Sequence, residues 1–146
     1  MKKCLYTVLL LCFLCVVATG CSGENNPNNI DMDFTRMSGT MVYAAVVEML
    51  QSPNEHLGKT VKARGEYMPF FFEPTGLYYH YIVIEGPPGC CPVRLEFILD
   101  GDYVFPDDYP DEDTAIEIIG IFSSYEELDQ TWHYLAIDEI IILEAS

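Results

Sequence analysis

Three hydrophobic patterns succeed one another along the chain. Leu5–Val17 is an uncharged, predominantly apolar run. Ser22–Gly39, "SGENNPNNIDMDFTRMSG", has no sustained apolar period. Beyond it the apolar positions recur first at helical spacing and then in alternation, the signature of an amphipathic helix followed by half-buried strands. In "MVYAAVVEMLQ", Val42, Ala45, Val46, Met49 and Leu50 fall on one face. Thr40 is the expected N-cap, and Ser52-Pro53-Asn54 ends the helix.

Five strand-like segments follow. Thr60–Met68 alternates, with Val61, Ala63, Gly65 and Tyr67 on one side and Lys62, Arg64 and Glu66 on the other. Leu77–Glu85 is aromatic and β-branched. Cys91–Leu99 places Cys91, Val93, Leu95, Phe97 and Leu99 in one phase, which predicts Cys91 in the core and Cys90, Arg94 and Glu96 outward. Thr114–Ser123 is isoleucine-rich, with Gly120 as the expected bulge or close approach. Trp132–Leu143 is interrupted by Asp138-Glu139. Five strands at this spacing, with Gly/Pro turns between them, predict a mainly β domain over residues 40–146, a small barrel or sandwich with one short N-terminal helix.

Charge sharpens the picture of the N-terminus. Lys2 and Lys3 precede the apolar run, small residues Ala18 and Gly20 follow it, and every acidic residue lies at Glu24 or later. This is the layout of a secretory signal, residues 1–20; the run is shorter than the roughly 20 apolar residues a spanning helix needs. "VATGC" resembles the bacterial lipobox. The resemblance implies cleavage before Cys21, lipidation of Cys21 with acyl chains such as palmitate, and membrane anchoring on the extracytoplasmic side of the bacterial envelope. Residues 21–39 then read as a flexible tether. A chain starting at Cys21 carries five basic and 23 acidic side chains. Such a surface repels phosphate backbones, so no nucleic-acid partner is expected.

Processing also reduces the cysteines. Of six, Cys4, Cys12 and Cys15 leave with the signal and Cys21 is lipidated, so only Cys90 and Cys91 stay free. Adjacent Cα atoms sit about 3.8 Å apart, below the usual disulfide span of about 4.4–6.8 Å. Packing is the first reading of the pair. A metal or thiol-redox site is the alternative, and it needs His80 or His133 to meet a cysteine in space. No CxxC or HxxxH spacing marks such a site, and no cofactor is expected. The segment Asp100–Asp113 holds seven acidic residues without the spacing of a calcium loop and reads as solvated.

The phrases "MVYAAVVEML", "GKTVKARGEY", "YYHYIVIEG", "CCPVRLEF", "DDYPDEDTAIEIIGIF" and "YLAIDEIII" together resemble the bacterial lipoproteins whose OB-fold domain is of the tRNA-anti-like family. The resemblance spans about Met41–Leu143. It implies a five-stranded OB-like barrel, here with the helix ahead of the first strand. OB-folds bind ligands on their second and third strands and on two of their loops. On this chain those regions are Phe70–Gly76, Tyr79–Tyr81 and Ser123–Thr131. Phe70, Phe71 and Phe72, expected in the first hairpin loop, and Tyr79 and Tyr81, on one strand face, are therefore the candidate ligand-binding residues. No nucleophile elbow, catalytic triad order or phosphate loop stands out. The expected function is non-catalytic: an envelope module that binds a protein, peptide or glycan.

Overall fold

The computed structural model describes residues 29–88 and 91–144; residues 1–20, Cys21 and Cys90 lie outside the described residues. A two-residue strand β1 (Met32–Asp33) leads into a single 3-10 turn, Phe34–Arg36. Helix α1 (Gly39–Gln51) follows, and then five strands: β2 (Thr60–Phe72), β3 (Leu77–Ile84), β4 (Val93–Leu99), β5 (Ala115–Glu127) and β6 (Gln130–Ile142).

The five long strands close on themselves. β2 pairs antiparallel with β3, β3 with β4, β5 with β6 and β5 with β2, while β4 and β6 run parallel. The result is a ring of hydrogen bonds through five strands, barrel-like and mainly β, as the alternation predicts. Closure removes the exposed edges that an open sheet would leave. The irregularity is local: Ile118 pairs with Ile140 and Gly120 with Ile137, so β6 carries one residue more than β5 at Asp138-Glu139. Gly120 sits at that step for want of space, because a Cβ there would lie 2.6 Å from the Ala136 carbonyl oxygen.

The alternation in β2 is as the sequence predicts: Val61, Ala63 and Tyr67 are buried, and Arg64 and Glu66 are exposed. Inward positions of the other strands supply Ile82, Leu95, Phe97, Ile116, Ile118, Phe122, Leu135 and Ile137, all buried. Helix α1 adds Val42, Val46 and Met49 to the same core. Each contributes about 1.5–3 kcal/mol by leaving water, which is what holds a short helix against a barrel. Its N-cap is Ser38, two residues before the expected Thr40, and the Ser38 side chain makes no capping hydrogen bond.

Two other expectations are corrected. The tether was expected to run to residue 39, but its domain end is packed. The Asp31 N–H donates to the Thr60 carbonyl at 2.9 Å, the Asp31 carboxylate accepts from the Thr60 N–H at 2.9 Å, and Phe34 is only 2 % exposed. One aromatic ring in a polar segment supplies the burial that fixes it. In addition, Phe70–Phe72 are not loop residues. β2 extends through Phe72, pairing with β3 out to Phe72–Leu77, and the turn is confined to residues 73–76.

Candidate functional site

Strands β2, β5 and β6 each run 13 residues against seven for β4, and side chains near the β2–β3 and β5–β6 turns gather around Glu96 of β4. Outward-facing side chains of these strands meet there. Phe70 and Phe72 of β2, Tyr79 and Tyr81 of β3, Glu96 of β4, Tyr125 and Glu127 of β5 and Trp132 of β6 line one cavity of about 90 Å³. Register explains the meeting. Phe70 is paired with Tyr79, Tyr81 with Glu96, and Tyr125 with Trp132, so cross-strand neighbours present their side chains to one face.

Glu96 is the centre of this arrangement. It occupies an outward position of β4, yet it is only 6 % exposed, because the hairpin side chains roof it. The Tyr125 hydroxyl donates to Glu96 Oε1 at 2.9 Å, the one hydrogen bond to that carboxylate among the described residues. Loss of water pushes the Glu96 carboxyl up to about 7; the Tyr125 hydrogen bond opposes this, and the nearby Glu127 charge adds to it. Glu127 is held on the rim. Its Oε2 accepts from the Tyr79 hydroxyl at 2.7 Å, and the Tyr79 oxygen lies 3.0 Å from Thr75 Oγ1. The Trp132 indole N–H donates to the Glu127 carbonyl at 3.3 Å, which ties the two sides of the β5–β6 hairpin. Burial raises the Tyr81 hydroxyl to about 12 and raises Tyr79 and Tyr125 as well, so the three hydroxyls remain protonated donors.

The cavity continues in both directions. One cleft, about 230 Å³, runs past Arg94, Thr131 and His133 towards Leu50 on α1. Another, about 320 Å³, runs past Ile98 and Tyr109 towards Leu77. Glu96 lines all three. Beyond them the hairpin tips expose Phe70, Phe71, Leu77, Tyr78 and Leu128. At the β5–β6 turn Leu128 and Asp129 both take positive φ, 50° and 60°, the geometry of a two-residue hairpin that favours Asn or Gly. A leucine in that geometry, with its side chain in water, is a local cost set beside the cleft.

The structure brings together four of the five aromatic residues the sequence singled out. Phe71 is on the opposite side of β2, against Tyr78 at 5.1 Å between ring centroids. Tyr125 and Glu127 fall within the expected Ser123–Thr131 region. Glu96 and Trp132 were missed: Trp132 lies one residue past that region, and alternation alone assigns Glu96 to solvent.

The alternative metal or redox group is not assembled among the described residues. Cys91 is exposed, against the expectation of a core position. Pro92 has no N–H for the ladder, so β4 begins at Val93 and the inward phase starts there. His80 points into the barrel. Its Nδ1 is 2.7 Å from the Tyr67 hydroxyl, its ring stacks on Tyr109 at 4.0 Å, and burial lowers it to about 4, so it is neutral. His133 stacks on Phe122 at 5.7 Å. The one group of potential ligands that converges among the described residues is Glu48, Glu55 and His56. There the Lys59 ammonium already lies 3.3 Å from His56 Nδ1, and Glu48 is 3.0 Å from Nε2. The acidic residues of the β4–β5 connection are exposed, as expected for a solvated loop, while Tyr109 from the same loop packs against the core.

No protein-family model matches this sequence, and no curated protein is detectably similar to it. The site therefore rests on its own geometry. Its contents are ring faces, tyrosine hydroxyls and two carboxylates, one of them stripped of water. Among the described residues no lysine or arginine lines the central cavity, and Arg94 alone of them lines a flanking cleft. Lys62 and Arg64 both pair with Glu117 at 2.8 Å on the far side of the ring. Arg94, two residues from Glu96 on the same face, is exposed and makes no ion pair among the described residues. Among the described residues no helix is long and apolar enough to cross a membrane.

Proposed function

We propose that this protein is an envelope lipoprotein, anchored through Cys21, whose barrel is a non-catalytic module that binds a protein, peptide or glycan in the cleft between its two long hairpins. The observation that carries this reading is the convergence of six aromatic rings and two carboxylates from all five long strands on one cavity. Phe70 and Trp132 stay well exposed at this cavity, and a contiguous exposed apolar patch marks an interaction surface. Rigid aromatic side chains give large contact area at low entropic cost, which suits recognition. The OB-like ring adds support, since its second and third strands and two of its loops are where such barrels take ligands.

Affinity capture from solubilised envelope tests the reading. Wild-type protein should retain a partner that Tyr79→Ala and Trp132→Ala lose, with both variants still folded by circular dichroism. Retention undiminished by either substitution overturns the assignment of the cleft. Membrane retention of Cys21→Ala equal to that of wild type overturns the anchor.

A further inference from the structure

The cleft's chemistry specifies more than a generic ligand, and the step taken here rests on the binding reading above. A cavity of about 90 Å³ is well below the roughly 150 Å³ that takes a benzene ring. Its central part is the size of one small head group, and larger portions of a ligand extend into the flanking clefts. The head group must suit two features at once. Ring faces of Tyr79, Tyr81, Tyr125 and Trp132 carry negative quadrupole potential, which attracts a cation. Glu96 and Glu127 add formal negative charge at the floor and the rim, and no lysine or arginine lines the cavity. An anionic head in the central cavity would lose water beside two carboxylates, the nearest cation being Arg94 in the flanking cleft. A cation would neutralise Glu96, whose carboxylate is otherwise both buried and without a positive partner among the described residues.

We propose that the cage binds an alkylammonium group, with Glu96 as its counter-ion and the tyrosine and tryptophan faces as its walls. The ammonium sits between the rings with an N–H directed to Glu96, and its alkyl stem leaves along either flanking cleft. This chemistry belongs to a lysine side chain of a partner polypeptide and equally to a free alkylamine. The flanking clefts, about 230 and 320 Å³, give a peptide backbone room on both sides of the cage.

Trp132 is the chain's single tryptophan, so its emission reports cage occupancy without labelling. Wild-type protein is titrated with n-butylammonium, with the size-matched neutral n-butanol, and with the blocked peptide Ac-Ala-Ala-Lys-Ala-Ala-NH2. The two cations should shift Trp132 emission saturably and n-butanol should not. Peptide binding tighter than n-butylammonium identifies a polypeptide lysine as the source, and equal binding identifies a free amine. Glu96→Gln, which keeps the volume and an acceptor for Tyr125, should weaken both cations by about tenfold or more, as should Tyr81→Leu. Wild-type affinity should also rise as pH is raised from 6 to 8. The titratable and charged groups that share a cleft with Glu96 are Tyr78, Tyr79, His80 and Tyr81 on β3, Tyr109 on the β4–β5 connection, Tyr125 and Glu127 on β5, His133 on β6 and Arg94 on its own strand; burial keeps His80 neutral across that range. His133→Gln must leave the rise in place. A saturable n-butanol response equal to that of the cation, or cation binding unchanged in Glu96→Gln, overturns the ammonium proposal. Loss of a captured envelope partner in Trp132→Ala, combined with no cation response, refutes the ammonium head group alone; capture indifferent to Trp132 refutes the cleft itself.

Discussion

Glu96→Gln should make the protein more stable at alkaline pH and little different in acid. The Glu96 carboxyl titrates at about 7 in the fold against an ordinary 4.5, because the hairpin side chains remove its water. A raised carboxyl holds its proton more tightly when folded. Its contribution is therefore complete below about pH 4.5 and is lost as pH rises through 7. At about 1.36 kcal/mol per pH unit the displacement has a ceiling near 3 kcal/mol. Relaxation of the surrounding side chains around the charged carboxylate offsets part of this, leaving about 1–2 kcal/mol. Glutamine keeps the acceptor for the Tyr125 hydroxyl and removes the charge, so the variant escapes the alkaline loss. Urea unfolding of both proteins at pH 5.5 and 8.5 measures the difference, and the many surface carboxylates cancel between them. The variant should gain about 1 kcal/mol more at pH 8.5 than at pH 5.5, a rise of roughly 4–8 °C in Tm for a domain near 100 residues. An equal effect at both pH values, or destabilisation at pH 8.5, would show that Glu96 is solvated or already paired, and the reasoning fails.

Other expectations test the frame that carries the cage. Gly65→Ala should cost about 1–3 kcal/mol in urea unfolding, since a Cβ there would collide with the Val83 carbonyl oxygen of the paired strand; an unchanged midpoint would mean that β2 and β3 are further apart than described. Phe34→Ala should cost about 3–5 kcal/mol, the usual loss for a buried phenylalanine, whereas a floppy tether would register nothing. Leu128→Asn should stabilise by about 1 kcal/mol by relieving a leucine at φ 50°, and a fall in Tm would place the turn in another geometry. Native thiol labelling of a Cys90→Ser variant should proceed quickly at Cys91, because that sulfur is exposed; protection comparable to that of a core thiol would restore the inward phase.

Much of the fold is legible from alternation. The inward set of β2, the isoleucines of β5, the helix ahead of the first strand and the irregularity at Gly120 and Asp138-Glu139 all follow from local residue order. What local order does not carry is the second layer of side chains outside the barrel. Glu96 occupies an outward position, and outward normally means wet. It is dry because Tyr79 and Tyr125, remote in sequence, fold over it from two hairpins. A carboxylate flanked by Leu95 and Phe97, opposite a tyrosine-rich strand, was the available signal. Phe34 escaped notice for a related reason: one ring in an Asn-rich segment has no period, and only its fit against the core shows its role. Cys91 failed through its neighbour. Pro92 delays the strand by two residues, so extrapolating the phase backwards from Val93 has no physical basis.

Ligand held in the cage is reported most directly by the indole of Trp132, which lines it. Two-dimensional proton–nitrogen spectra recorded while n-butylammonium is added should move the Trp132 indole resonance together with the Glu96 and Tyr81 amides, saturably and reversibly. Resonances of the acidic β4–β5 loop should stay in place. Shifts that gather on that loop instead, with Trp132 unmoved, would assign the attraction to diffuse surface charge and contradict the cage.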